Sequence, residues 1–199
     1  EVLVRGPQVM KEYFCRPDDT AAAFAEDRWF RTGDIGEITE DGHLCITDRK
    51  KNLLVTAGGK NIAPAPIENL VLENRYVDQV VMIGDQRHFP ALLVVPAFKT
   101  LGVWADSKGI AGGPPGELLR EKSVQEHLCR EVFGLLGDLA SYERPKKIGI
   151  IKEEFTIEGG ILTPNQKVKR RVVGERYGAL IERLYDPVNR GVDIFVEDD

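Results

Sequence analysis

The sequence predicts an α+β fold: a small domain with a mixed sheet, a β-hairpin and flanking helices, preceded by the end of a β-rich domain. Three observations predict it. Strand-like and helix-like stretches alternate irregularly, not in a regular βαβ series. "DIGEITEDGHLCITD" (34–48) places apolar residues on both arms around Asp41-Gly42, the pattern of a hairpin. Then Asp48, Arg49, Lys50, Lys51 and Asn52 form a polar run between apolar stretches, which marks a linker over 48–52 between domains 1–47 and 53–199.

"EVLVRG" alternates with period two and reads as a strand stopped at Gly6-Pro7. "DDTAAAFAED" suits a short helix, with its acidic start and alanines. In the hairpin, Ile35 and Ile38 lie on one arm and Leu44 and Ile46 on the other. "LLVT" then leads into "AGGKN". A helix over "PAPIENLVLEN" has proline near its start and Ile67, Leu70 and Val71 on one face. "VDQVVMIG" and "ALLVVP" are strands joined by the polar turn "DQRHF". Gly, Pro and Asp crowd 106–116, so a loop is expected there. Ser123 and Glu126 have capping-box spacing, ahead of Val124, Leu128, Val132, Leu135, Leu136 and Leu139 at helical intervals. "KIGIIKEEF" reads as a strand and "TIEGGILTPNQ" as a loop. A single last helix is expected over "KVKRRVVGERYGALIERLY", with Val168, Val172, Leu180 and Leu184 near one face. The tail from about 187 to the acidic end at 197–199 is expected to be loose. No internal repeat stands out.

The 199 residues carry 42% hydrophobic and 30% charged side chains, ordinary for a globular protein, and a formal net charge of −5. No global basic field invites nucleic acid. Cys15, Cys45 and Cys129 are odd in number and form no CxxC; His43, His88 and His127 are scattered with no HExxH. A disulfide framework and a metal site are therefore not expected, and a reducing cytoplasm is the default. "FPALLVVPAF" is far short of the ~20 residues of a membrane span. The start at Glu1, already in strand-like sequence and without methionine, reads as a fragment of something longer.

Candidate chemistry begins at "WFRTGD" (29–34). The Asp34 carboxylate could accept two hydrogen bonds at once, as from the paired hydroxyls of a ribose; Gly-Asp is also a common turn pair, and both readings stay open here. Arg49 offers a planar fork suited to phosphate or ribose oxygen, against a plain solvated charge beside Asp48. Gly58-Gly59 permits positive φ and the close approach of a ligand or backbone; a hairpin turn is the simpler reading, and the P-loop spacing is missing. Lys167, with Lys169, Arg170 and Arg171, would stand at a helix N-terminus, where cations oppose the macrodipole. That unfavourable placement hints at function.

The order of "RGPQVMKEY", "WFRTGD", "DGHLCITDRKKNLLVTAGGKNIAPAPIE" and "TPNQKVKR" resembles the adenylate-forming superfamily of acyl-CoA synthetases, peptide-synthetase adenylation domains and luciferases. The resemblance runs over almost the whole chain. It is nearest to the long-chain fatty-acid CoA ligases through "ITDRKK", "TAGGKNIAP" and "LTPNQKVKR". It implies that residues 1–47 end a large N-terminal adenylation domain, that 48–52 is a hinge containing Asp48 and Lys51, and that 53–199 is a C-terminal lid.

In such an enzyme Asp34 would bind the ATP ribose and Arg49 the nucleotide. Gly58 and Gly59 would line the pantetheine channel of CoA, and Lys167 would assist adenylation. The implied substrates are fatty acid, ATP with Mg2+, and CoA, with peripheral membrane association left open and no nucleic-acid partner. Departures are Glu12 where glycine is usual after "VMK", Gln166 where glycine often precedes the lysine, and a tail "GVDIFVEDD" that matches nothing. The phosphate-binding loop and acyl tunnel of relatives lie outside these residues, so the 199 residues alone are expected to be inactive. Two alternatives remain: an acyl-AMP ligase or adenylation domain with a carrier-protein acceptor, and a non-catalytic module binding through the 167–171 basic cluster.

Overall fold

The structure, a computed structural model, describes residues 1–110, 113–189, 191 and 193–197. The chain divides into two compact units, Glu1–Leu53 and Leu54–Asp199.

In the first unit β1 (Leu3–Val4) pairs antiparallel with β2 (Phe30–Arg31). Between them α1 (Pro17–Ala23) starts on Pro17, whose missing N–H costs nothing in a first turn, with Asp18 and Asp19 set favourably toward the dipole. The hairpin follows: β3 (Asp34–Ile38) runs antiparallel to β4 (Leu44–Arg49), with a bulge between Ile35 and Gly36. A Cβ on Gly36 would lie 2.7 Å from the Cys45 carbonyl oxygen, so the bulge requires glycine. The connection is a three-residue loop, not a two-residue turn: the Gly42 N–H donates to the Thr39 carbonyl at 2.9 Å, and only Gly42, at φ 83°, is left-handed there. Ile38, Leu44 and Ile46 remain exposed. Asp48 and Arg49 belong to β4, and Lys50–Asn52 form a single 3-10 turn.

The second unit opens with a small hairpin, β5 (Leu54–Val55) against β6 (Asn61–Ile62), then α2 (Pro64–Leu72). Its main sheet comprises β7 (Val77–Ile83), β8 (Ala91–Pro96), β9 (Ile148–Ile150) and β10 (Ile194–Val196) in the order β10-β9-β8-β7. β7 and β8 are antiparallel, whereas β9 is parallel to both β8 and β10. Every residue of β8 is buried, as a central strand covered on both faces demands. One face carries Val80, Met82, Leu92, Val94, Ile148 and Ile150. They pack with Ile67 and Val71 of α2, Leu101 and Ala105 of α3 (Phe98–Ser107), Leu118 of α4 (Pro115–Leu118), and Val124, Leu128 and Val132 of α5 (Lys122–Gly134). The other face carries Val81, Leu93 and Val95 against Val173 of α6 (Arg170–Arg176), Tyr177, and Leu180 and Leu184 of α7 (Gly178–Tyr185). The mixed sheet with flanking helices matches the α+β expectation.

Four expectations are corrected. The loop expected over 106–116 is narrower than that, because α3 runs through Ser107 and α4 starts at Pro115. The capping box at Ser123 does not form: the Glu121 carbonyl already accepts from Val124 (3.0 Å) and Gln125 (3.2 Å), so α5 starts at Lys122 and Ser123 sits inside its first turn. The last helix is two helices broken at Tyr177 (φ −103°, ψ 22°), and it begins at Arg170, so Lys167 does not sit at its N-terminus. The supposed loose tail supplies β10, and the Glu197 N–H donates to the Ile150 carbonyl at 2.9 Å. Residues 198–199 lie outside the described residues. Among the described residues no helix is long and apolar enough to cross a membrane.

Candidate functional site

In the first unit the antiparallel register sets Asp34 directly opposite Arg49. Arg49 Nε stands 2.7 Å from Asp34 Oδ1. The Arg49 guanidinium also reaches the Thr32 carbonyl at 3.5 Å. The backbone of Asp34 is held from behind: its N–H donates to Thr32 Oγ1 (3.0 Å), and Thr32 Oγ1 in turn donates to the Val2 carbonyl (2.8 Å). Asp34 is thus an ordered acceptor at the rim of a strand, with its side chain 26% exposed. The Arg49 side chain, 58% exposed, pairs with Asp34 on the facing strand. Asp48 is buried, and its Oδ1 accepts the Arg49 N–H (2.6 Å) and Asn52 Nδ2 (3.1 Å), tying the strand end to the 3-10 turn that follows.

Gly33, Arg49, Lys50 and Lys51 line an open depression of about 350 Å³. Lys50 Nζ lies 3.0 Å from Glu1 Oε2, and this hydrogen bond, followed by the Lys50 and Arg31 charges, holds the Glu1 carboxyl below its usual range. Arginine and lysine around such a depression favour an anionic or oxygen-rich ligand.

In the second unit Gly58 and Gly59 form the tip of the β5–β6 hairpin, so the simpler reading of the pair as a turn is correct for its local structure. Gly59 has φ 75°, and an added Cβ would meet nothing within 4 Å; beside Gly58 the nearest atom would be Thr56 Oγ1 at 3.9 Å. The tip is open rather than crowded. Its base is sewn to the β7–β8 turn, with Ala57 N–H on the Arg87 carbonyl (2.8 Å), Gln86 N–H on the Val55 carbonyl (2.8 Å) and Val55 N–H on Asp85 (3.0 Å). Arg87 pairs with Glu182 and stacks over Tyr185 of α7, 4.7 Å from the ring centre.

Lys167 ends a similar tip. The Leu162–Val168 bridge closes the stretch, and Gln166 at φ 57° turns it. Lys167 is exposed and, among the described residues, makes no ion pair. The basic cluster around it is largely committed: Arg170 pairs with Glu68 at 2.8 Å and donates to the Met82 carbonyl at 2.7 Å, and Arg171 pairs with Glu175. Lys169 and Arg171 stay exposed beside Lys167.

Asp34 and Arg49 are therefore brought together within one unit, and Gly58, Gly59 and Lys167 occupy two hairpin tips of the other. The threonines that shape those tips, Thr56 and Thr163, were missed in the sequence. A spacing signal was present: threonine, two residues, then Gly or Gln, then a long polar residue, occurs at 39–43, 56–60 and 163–167. Among the described residues no group of three or more His, Cys, Asp or Glu could hold a metal ion.

Comparison with known proteins converges. Residues 51–108 match the family model for the AMP-binding enzyme C-terminal domain. Over 187 residues the chain is 36% identical to long-chain-fatty-acid–CoA ligase FadD15 of Mycobacterium tuberculosis, covering 94% of this chain and 31% of that protein. It is 37% identical over 191 residues to human long-chain-fatty-acid–CoA ligase 1, covering 94% of this chain and 27% of the relative. The A domain of carboxylic acid reductase from Segniliparus rugosus, solved with AMP and a co-purified carboxylic acid, aligns with TM-score 0.70 at 28% identity, over 92% of this chain and 27% of that one. The chain spans less than a third of the length of these curated relatives.

Proposed function

We propose, from a chain whose residues 51–108 match the AMP-binding enzyme C-terminal domain and whose homologues are long-chain fatty-acid–CoA ligases, that these residues are the C-terminal part of an ATP-dependent long-chain fatty acid–CoA ligase. One observation carries the reading. The 36% identity to the ligase of M. tuberculosis spans 94% of the chain, so it extends over both units rather than over residues 51–108 alone.

In this reading a fatty carboxylate oxygen attacks the α-phosphorus of ATP and pyrophosphate leaves. The CoA thiol then attacks the acyl carbonyl and AMP leaves. Asp34 accepts from the ribose hydroxyls, and its pairing with Arg49 supports this role by fixing the carboxylate and placing a donor at the same edge. Lys167, an unpaired ammonium among the described residues, suits charge shared between carboxylate and phosphoryl oxygens as the first step proceeds. The open Gly58-Gly59 tip leaves room for the slender arm of CoA in the second step. Lys51 lies two residues before the division between the units at Leu53 and serves as the hinge that lets one enzyme present two arrangements, with Asp48 bracing the strand before it. Magnesium would accompany the ATP phosphates and offset their charge.

The test uses the full-length protein. Pyrophosphate release is measured with fatty acids of increasing length, and thioester formation with free CoA and with a carrier-protein thiol. Fatty-acid-dependent pyrophosphate release and acyl-CoA are expected. Thioester on the carrier protein alone would move the acceptor, and no fatty-acid-dependent pyrophosphate would contradict the reading.

A further inference from the structure

Three hairpin tips in this chain are the same object. In each, a threonine carbonyl accepts the N–H three residues on: Thr39 from Gly42 (2.9 Å), Thr56 from Gly59 (2.8 Å), Thr163 from Gln166 (2.8 Å). In each, the threonine N–H donates to the carbonyl four residues on: His43 (2.9 Å), Lys60 (2.9 Å), Lys167 (2.8 Å). The threonine Oγ1 then accepts the N–H of that fourth residue at 3.1 Å in all three. The residue before it is left-handed each time, at φ 83°, 75° and 57°. Three hydrogen bonds on five residues leave the tip almost no backbone freedom, because two of them clamp the main chain of the last residue from both its N–H and its carbonyl.

Two of the three tips carry the groups assigned to the reaction. Thr163 locks the backbone of Lys167, and Thr56 locks the Gly58-Gly59 tip and presents Lys60. Lys167 needs such a lock: lysine has a long, rotatable stem, so the direction of its ammonium depends on how firmly its Cα is aimed. Gln166 sharpens the point. A left-handed non-glycine residue costs about 1–2 kcal/mol, and the surrounding hydrogen bonds maintain it. Thr56 is buried at 7% exposure, so its hydroxyl is a fixed acceptor rather than a solvent-facing one.

We infer that Thr163 and Thr56 are positioning residues that serve different half-reactions, Thr163 by aiming Lys167 for adenylation and Thr56 by setting the glycine tip for thioester transfer. This rests on the functional reading above. A misplacement of about 1 Å can cost up to about 10²-fold in rate, so loss of one hydroxyl on a tip is a kinetic event as well as a structural one.

The test compares Thr163→Val, Thr56→Val and Thr39→Val in the full-length protein, with the corresponding Ser variants, which keep the Oγ. Adenylation is read as fatty-acid-dependent pyrophosphate exchange, and transfer as acyl-CoA formed from supplied acyl-adenylate. Thr163→Val is expected to slow adenylation about 10- to 100-fold and leave transfer unchanged. Thr56→Val is expected to do the reverse, Thr39→Val to do neither, and each Ser variant to restore the parent rate. Equal loss in both half-reactions, or no rescue by serine, overturns the inference, since a merely structural role predicts that pattern. Amide hydrogen exchange at Lys167 and Lys60 reads the lock without activity. Faster exchange in the Val variants supports it, and unchanged exchange overturns it. A parent that forms no acyl-CoA while exchange rises as expected would instead sink the functional reading and leave the lock standing.

Discussion

Asp34 and Arg49 face each other on the same antiparallel rung, and Arg49 Nε sits 2.7 Å from Asp34 Oδ1. The pair joins the start of one hairpin strand to the end of the other, and Arg49 lines a depression with Gly33, Lys50 and Lys51. Because the Arg49 side chain is 58% exposed, the pair itself contributes little to folding.

Stability and function should therefore separate at Asp34. Asp34→Asn in the full-length protein is expected to raise the KM for ATP about tenfold, equivalent to ~1.4 kcal/mol. Thermal unfolding of the same variant should shift by less than ~1 kcal/mol. A large loss of stability with an unchanged KM would make the pair structural.

The glycine tip makes an internal comparison. Gly59→Ala forces a methyl-bearing residue into φ 75° and is expected to cost about 1–2 kcal/mol. Gly58→Ala has no positive φ and only Thr56 Oγ1 nearby, so it should be close to neutral. Gln166→Gly relieves the same strain at the Lys167 tip and should hold or raise stability despite the added chain entropy. Denaturant midpoints of the three variants check the order.

His127 predicts a pH dependence. Its ring stacks flat on Trp104 at 3.8 Å and meets Tyr76 edge-on at 4.8 Å, and its Nε2 is buried without a hydrogen-bond partner. Burial lowers its pKa; Glu131 opposes this, and Arg130, Arg75 and Lys108 add to it. The unfolded chain, titrating near 6.5, takes up the proton first. Stability is therefore unaffected above that value and falls as pH drops below it toward the folded pKa. His127→Phe, which retains the stack, should flatten that part of the stability profile below about pH 6.5. An unchanged slope would assign it to other groups.

Local pattern was legible in the sequence wherever one segment contained its own partner. The β3–β4 hairpin, α2 with Ile67 and Val71 inward, and the strands β7 and β8 were all visible as periodicity around turn residues. Long-range pairing was not. The tail pairs with Ile148–Ile150, more than forty residues away, and nothing in "DIFVE" names that partner. α3 was missed because Gly102 and the β-branched Thr100 and Val103 weaken its propensity, while burial of Leu101 and Ala105 supplies what propensity lacks. The break falls at Tyr177, directly before Gly178, and the Tyr177 ring belongs to the same buried cluster as Val173, Leu180 and Phe155. At the site, residue types pointed to the candidates. The pairing of Asp34 with Arg49 needed the register, and the lock on Lys167 needed the turn geometry.

The central claim is that Lys167 acts in the first half-reaction alone. In the full-length protein, Lys167→Ala should lower fatty-acid-dependent pyrophosphate exchange by about 10²–10³-fold, while transfer from supplied acyl-adenylate to CoA stays within a few-fold of the parent. Equal loss in both half-reactions, or undiminished exchange, would contradict the account.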